Sequence, residues 1–111
     1  MNFSISRAIL MASTEECKNA IAFAAALGFT QSGVKVIYLS SYETTHTILS
    51  KIKQYGIHDT ENLKVVGGND AQTLDAEGAK VLIADVCKGT HAYDTFEALK
   101  SQVAYVLEVK V

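Results

Sequence analysis

Short apolar runs alternate along this chain with segments in which apolar residues recur at the 3.6-residue period of a helix. The apolar runs predict strands at residues 5–12, 35–40, 63–66, 80–86 and 103–111. The periodic segments predict helices between residues 13 and 28, from 42–44 to 55, at 93–101 and, short and weak, within 71–79. Strands that alternate with helices of this length indicate βαβ units with right-handed crossovers.

The alternation predicts a three-layer, doubly wound α/β fold with a mainly parallel five-stranded sheet and helices on both faces. The 111 residues fit a single domain, residues 1–111. The first apolar run is nearly continuous, so we expect a strand that is buried on both faces. In the last run Glu108 and Lys110 share one face. We therefore expect the C-terminal strand at a solvated edge, where it can form a homodimer or pair with a partner protein.

The first helix carries clear end signals. Ser13 fits an N-cap, and Glu16 three residues later completes a capping box. Apolar residues recur at positions 17, 20, 21, 24 and 27, which predicts that Cys17 packs in the core. Gly28 is expected to end the helix.

Composition narrows the class of protein. The net charge of −2 and the pI near 5.9 disfavour direct nucleic-acid binding, which requires a basic face. No apolar run approaches the roughly 20 residues of a membrane span, and no secretory signal is recognisable. We therefore expect a cytoplasmic protein with Cys17 and Cys87 reduced. The three histidines lie on separate segments without metal-ligand spacing, so we expect no metal site.

Four of the predicted strands end in, or are followed by, polar residues or glycines. Ligands of parallel sheets bind at the carboxyl ends of the strands, so these positions are the candidates for a binding pocket. They are Ser13, Thr14, Ser40, Ser41, Glu43, Gly67, Gly68, Asn69, Asp85, Cys87 and Lys88.

The chain resembles RecA-like proteins in two ways. Residues 12–19, Ala-Ser-Thr-Glu-Glu-Cys-Lys-Asn, lie over the P-loop GxxxxGK[ST] of RecA/KaiC-type ATPases without gaps. Residues 20–26 resemble the helix that follows that loop. Residues 33–40 with Glu43 resemble the second strand and the catalytic-glutamate region, and residues 81–85 resemble a Walker B strand.

The second resemblance is to the C-terminal RecA-like domain of DEAD-box-type helicases. Residues 35–56 resemble the strand-helix unit that opens that domain. Residues 81–94 resemble its segment vLvaTDvaarGlD, with Asp85 and Gly89 as the matching residues, and residues 103–107 resemble the next strand.

Both resemblances imply a RecA-like fold with degenerate catalytic motifs. Ala12 and Cys17 stand where the P-loop has glycines, Asn19 replaces its Ser/Thr, and Ala84 replaces the helicase threonine. Glu15 and Glu16 place carboxylates where the phosphates of a nucleotide would lie. The weak nucleotide-binding candidates that remain are Ser13, Thr14, Lys18, Asn19 and Asp85.

The leading functional hypothesis is a catalytically inactive, stand-alone RecA-like domain that acts through protein contacts. The resemblance implies a role as accessory or regulator of DNA-processing machinery. This hypothesis expects no catalytic residue, no metal and no cofactor. The alternative is weak binding of a nucleotide, such as ATP with magnesium, or of a phosphate metabolite through Lys18, Asn19 and Asp85. A third hypothesis is a small enzyme whose substrate binds at the same strand ends.

Overall fold

A computed structural model describes residues 6–56, 61–68, 76 and 78–111. These residues form five strands and three helices. In chain order they are β1 (Ser6–Met11), α1 (Glu15–Gln31), β2 (Val36–Ser40), α2 (Thr45–Gln54), β3 (Leu63–Gly67), β4 (Val81–Asp85), α3 (His91–Leu99) and β5 (Tyr105–Lys110). The predicted turn at Asn69 and most of the short helix predicted within 71–79 lie outside the described residues.

The five strands form one parallel sheet in the order β1-β5-β4-β2-β3. The predicted α/β class and parallel sheet are therefore confirmed. The chain crosses from β1 to β2 and on to β3 in one direction, and it runs from β4 to β5 in the opposite direction. Because all such crossovers have the same hand, reversing the direction moves the connecting helix to the other face of the sheet.

The two faces of the sheet carry separate apolar cores. On one face α1 and α2 pack against Val36 and Tyr38 of β2. On the other face α3 packs against Ile37 and Leu39 of the same strand. Successive residues of β2 thus enter different cores, as the pleat of a strand requires. None of the described helices is long and apolar enough to cross a membrane.

The prediction that the first strand is buried on both faces is wrong. All six residues of β1 are exposed. Within the described residues β1 pairs only with β5, and the main sheet contacts of α1 are with β2, β4 and β5. A continuous apolar run is typical of a buried strand, but strand order decides the burial, and the run itself does not encode that order.

The C-terminal strand is not at an edge of the sheet, so that prediction is also wrong. β5 lies between β1 and β4 and pairs with both. A homodimer that pairs through the C-terminal strand has no free edge there. The alternation of Glu108 and Lys110 does not mark an unpaired strand, because the Glu108 carboxylate pairs with Arg7 of β1 (3.6 Å) while Lys110 is exposed.

The ends of α1 differ from the predicted ones. Thr14, not Ser13, is the N-cap, and its hydroxyl accepts a hydrogen bond from the backbone N–H of Cys17 (3.1 Å). Gly28 lies inside the helix, which continues to Gln31. Cys17 is exposed, whereas Lys18 is buried, so the inward face differs from the predicted one.

Gly67 allows β3 to approach the start of α2 closely. A Cβ atom there would overlap the backbone carbonyl oxygen of Glu43 and would lie 2.9 Å from the carbonyl carbon of Thr44. The Gly67 N–H also donates to the hydroxyl of Thr45 (3.0 Å). The glycine is therefore required by backbone contact, which a side chain cannot relieve by rotating.

We expect Gly67→Ala to lower the free energy of unfolding by about 2–3 kcal/mol, because the added methyl group overpacks a backbone contact. Gly28→Ala is the matched control, because no atom lies within 4 Å of its added Cβ. Within a helix this change should raise stability by about 0.5–1 kcal/mol. Urea unfolding measures the free energy of unfolding of both variants. Equal changes in the two variants would contradict the close approach of β3 to α2.

Candidate functional site

The carboxyl ends of β2 and β4 lie side by side where the connections of the sheet reverse direction. From β2 the chain moves to its neighbour β3 on one side, and from β4 it moves to its neighbour β5 on the other side. Such a reversal opens a crevice at the strand ends, where ligands of α/β sheets bind. Ser40 and Asp85 are register partners here, and the Ser41 N–H donates to the Asp85 carbonyl (2.9 Å).

Lys18 of α1 and Asp85 of β4 form a buried ion pair in this crevice. The Lys18 Nζ lies 3.0 Å from Asp85 Oδ1 and 2.8 Å from Asp85 Oδ2. Only 2% of Lys18 and 4% of Asp85 are exposed. Glu15, one helical turn before Lys18, places its Oε2 2.6 Å from the same ammonium. The lysine charge is therefore shared between two carboxylates.

The surroundings shift the pKa values of both partners. Burial by itself lowers the pKa of Lys18, but hydrogen bonds and charge attraction from Asp85 and Glu15 outweigh it and raise that pKa above 10.5. Burial raises the pKa of Asp85, and the carboxylates of Glu15 and Glu43 add to this effect, while Lys18 opposes it. Lys18 is thus held as a cation at neutral pH.

Tyr42 lies over the Lys18 ammonium, and sequence reasoning did not single it out. The ring centroid is 4.8 Å from the Lys18 Nζ, which is cation–π distance. Partial burial raises the pKa of Tyr42, as do contact with Cys87 and the charge of Asp85. Tyr42 lies two residues after β2, between Ser40 and Glu43. The rule that ligands bind at the carboxyl ends of parallel strands, which selected those two residues, would therefore also have selected Tyr42.

A hydroxyl network joins the loops that follow β2 and β4. The hydroxyls of Ser41 and Thr90 lie 2.7 Å apart, and the Cys87 N–H donates to the Ser41 hydroxyl (3.0 Å). Thr90 also donates to the Cys87 carbonyl (2.8 Å) and accepts from the Tyr93 N–H (3.2 Å), which makes it the N-cap of α3. These contacts fix the two loops to each other.

The connection between β1 and α1 does not have the form of a phosphate-binding loop. Only residues 12–14 lie between the two elements, and Glu15 and Glu16 already form the first turn of the helix. A P-loop surrounds phosphates with inward-pointing backbone N–H groups from an open glycine-rich segment. Here the first turn presents carboxylates, and Lys18 is engaged by two of them.

The other predicted site residues fall into three groups. Ser40 lies with Lys18 and Asp85, and its hydroxyl accepts from the Tyr42 N–H (3.1 Å). Glu43 instead pairs with Lys51 (2.7 Å) beside Gly67 and Gly68, at the start of α2. Exposed or half-buried positions without a described side-chain partner are Ser13, Asn19 and Lys88.

A groove of about 580 Å³ extends from the ion pair along the end of the sheet towards α3. Its lining includes Lys18, Tyr42 and Asp85 together with Lys88 and Lys110. Within the described residues, no group of three or more His, Cys, Asp or Glu side chains could hold a metal ion.

Comparison with protein-family models, curated proteins and solved structures found no match to this chain.

We expect Lys18→Met to lower the free energy of unfolding by about 3 kcal/mol, because it leaves the Asp85 carboxylate buried without its partner. Lys18→Met combined with Asp85→Asn should cost less than the sum of the single changes, with a coupling of about 1–3 kcal/mol. Glu15→Gln is the control, because an exposed carboxylate contributes only about 0.5 kcal/mol. Urea unfolding of these variants and of the single Asp85→Asn variant measures the free energies. A loss of stability in Lys18→Met no larger than that in Glu15→Gln would contradict the buried pair.

The raised pKa of Lys18 also sets a pH dependence. A group whose pKa is higher in the folded state stabilises the fold fully below its unfolded value and loses this effect as pH rises through the folded value. We therefore expect the stability of the wild type relative to the Lys18→Met/Asp85→Asn variant to stay constant from neutral pH to about 10.5 and to fall above it. Urea unfolding of both proteins across this pH range measures the difference in stability. If that difference already decreases at a pH below about 9, the raised pKa of Lys18 is contradicted.

Proposed function

We propose that this chain is a non-catalytic α/β domain that acts by binding another protein chain along β1. The exposure of β1 carries the proposal: Ile9 is 58% exposed, Leu10 40% and Met11 67%. These apolar side chains occupy both faces of the strand, and the edge away from β5 has no partner among the described residues. A strand with apolar faces and a free backbone edge is suited to accept an added strand.

The strand lacks the features that protect free edges from pairing. Such edges usually carry lysine, proline, a bulge or an inward charge. In β1 the single charged side chain is Arg7, and its guanidinium lies 3.6 Å from the Glu108 carboxylate of the neighbouring strand. This contact offsets part of the arginine charge, and the rest of the strand carries no charged side chain.

The geometry of the crevice supports the non-catalytic part of the proposal. Lys18, the residue that the P-loop resemblance assigns to phosphate, is bound by Asp85 and Glu15. A nucleotide phosphate would have to displace these carboxylates, and the two carboxylates of the first turn would repel it. The wider proposal, an inactive RecA-like domain that serves DNA-processing machinery, rests on the sequence resemblance alone.

The groove favours a second function, weak binding of a nucleotide or phosphate metabolite. Lys88 and Lys110 line it and have no side-chain partner among the described residues, so they are the free cations for an anion. Asn19 and Lys18, which the alternative hypothesis named, lie at α1 and are less accessible.

Replacing Ile9 tests the protein contact. Ile9→Lys adds a charge to the edge of β1, and we expect it to abolish the binding of protein partners to the immobilised chain. Val111→Lys is the matched control, because Val111 is also an exposed apolar residue but lies outside β1. Thermal melts establish that both variants fold. The same set of proteins retained by wild type and by both variants would contradict binding along β1.

Calorimetric titration with ATP–magnesium and with ADP tests the absence of nucleotide chemistry. We expect no binding tighter than about 100 μM. If tighter binding occurs and is lost in a folded Lys88→Ala/Lys110→Ala variant, the groove is a ligand site and the second function replaces the first.

A further inference from the structure

We infer that the groove beside α3 binds the phosphate group of a phosphomonoester, a small organic dianion, through Lys88 and Lys110. This inference rests on the second proposed function, the binding of an anion in the groove, and it names the class of that anion. It does not depend on the protein contact along β1. The position of the groove, the pairing of its charges and the number of charges left over carry it.

The groove lies between α3 and β5. Glu108 is on the α3 face of the sheet, because its register partner Ala84 belongs to the α3 core. Lys110, two residues further along the strand, is on the same face. Arg7 is on this face as well, since its register partner Val106 belongs to the same core. Residues of α3 complete the lining, so charged side chains of the sheet and of the helix meet in one groove.

Basic residues are concentrated in this groove. Five of the ten lysine and arginine residues of the chain line it, but only four of the twelve aspartate and glutamate residues do. The lining therefore has a formal charge of +1, whereas the remaining five basic and eight acidic residues give −3. An acidic chain thus has a groove of opposite sign, which favours an anionic ligand.

The acidic side chains of the lining each lie beside a cation. The Lys100 Nζ is 2.6 Å from the Glu97 Oε2, and the Arg7 guanidinium is 3.6 Å from the Glu108 carboxylate. The hydrogen bond from Lys100 is the main cause that lowers the pKa of Glu97, so this carboxylate stays ionised at neutral pH. The other two acidic side chains share the ammonium of Lys18. These contacts engage three of the five cations.

The two cations that remain are Lys88 and Lys110. Both are exposed, and neither has a side-chain partner among the described residues. A phosphomonoester carries a charge of about −1.5 to −2 at neutral pH, which two ammonium groups match. Lysine binds phosphate as a compact point charge, whereas planar carboxylates are suited to the fork of an arginine. The arginine of this groove is already beside Glu108.

The same charges disfavour ligands with two or more phosphates. A second phosphate brings at least one further negative charge, for which the lining has no free cation. That charge would instead meet the ionised carboxylates of Glu97 and Glu108. The volume of about 580 Å³ lies within the range of small-molecule sites, so charge and not size sets this preference.

Titration of the ¹⁵N-labelled full chain, followed by NMR, tests the class of ligand. We expect AMP and ribose 5-phosphate to shift the amide signals of Lys88 and Lys110, with dissociation constants of about 0.1–1 mM. Cyclic AMP has the same base but one negative charge fewer, so it should bind about tenfold more weakly than AMP. ADP and succinate should bind no more tightly than AMP.

Single substitutions test the residues. Lys88→Gln and Lys110→Gln should each weaken AMP binding about tenfold. Lys53→Gln is the matched control, because it also removes one exposed positive charge but lies on α2, outside the groove. Glu97→Gln should strengthen AMP binding about two- to threefold, because it removes a carboxylate and releases Lys100. A residue with only a structural role would not raise the affinity when it is replaced.

The possible failures of this inference can be told apart from those of the proposed functions. If neither AMP nor ribose 5-phosphate shifts the groove signals at about 10 mM, the phosphomonoester is overturned. It is also overturned if AMP binds and ribose 5-phosphate does not, because the base would then carry the binding. Tighter binding of ADP in the groove would keep the second function and overturn the phosphomonoester. None of these results affects the comparison of Ile9→Lys with the wild type, which tests the contact along β1.

Discussion

The buried contact between Lys18 and Asp85 connects the beginning of the chain to the centre of the sheet. A lysine this deeply buried requires a carboxylate beside it, because removing an ammonium from water without a partner is costly. The pair therefore fixes the first turn of α1 over the end of β4. Glu15 and Tyr42 complete the surroundings of the ammonium from the helix and from the loop after β2. The crevice at the strand ends is thus occupied by the protein's own charges.

The same arrangement explains the exposed strand. The chain must cross from β1 to β2 over two intervening strands, so α1 covers the middle of the sheet and cannot also cover β1. The reversed direction from β4 to β5 places α3 on the opposite face. The edge strand is left uncovered by helices on both faces although it is apolar. The exposed surface and the filled crevice therefore have one origin, the order in which the strands enter the sheet.

Taken together, these features favour a protein whose contacts lie at its edge. In an open parallel sheet the crevice usually binds the ligand. Here Lys18 is neutralised within the chain, and the uncommitted apolar surface lies on β1, at Ile9 and Met11. The groove beside α3, with Lys88 and Lys110, is the part of the strand ends that remains open to an anion.

The sequence by itself determined the elements. Apolar runs located the five described strands and the 3.6-residue period located the three described helices. Gly56, with φ of +88°, follows the end of α2 as the pattern predicted. The P-loop resemblance singled out Lys18 and the rule of strand ends singled out Asp85, both as candidates for nucleotide binding, but their contact with each other was not predicted. Tertiary structure decided what no local pattern encodes. The strand order left β1 at the edge of the sheet and placed β5 between two other strands. Lys18 rather than Cys17 faces inward, because alanines almost all around α1 leave its inward face to be set by the sheet and by Asp85.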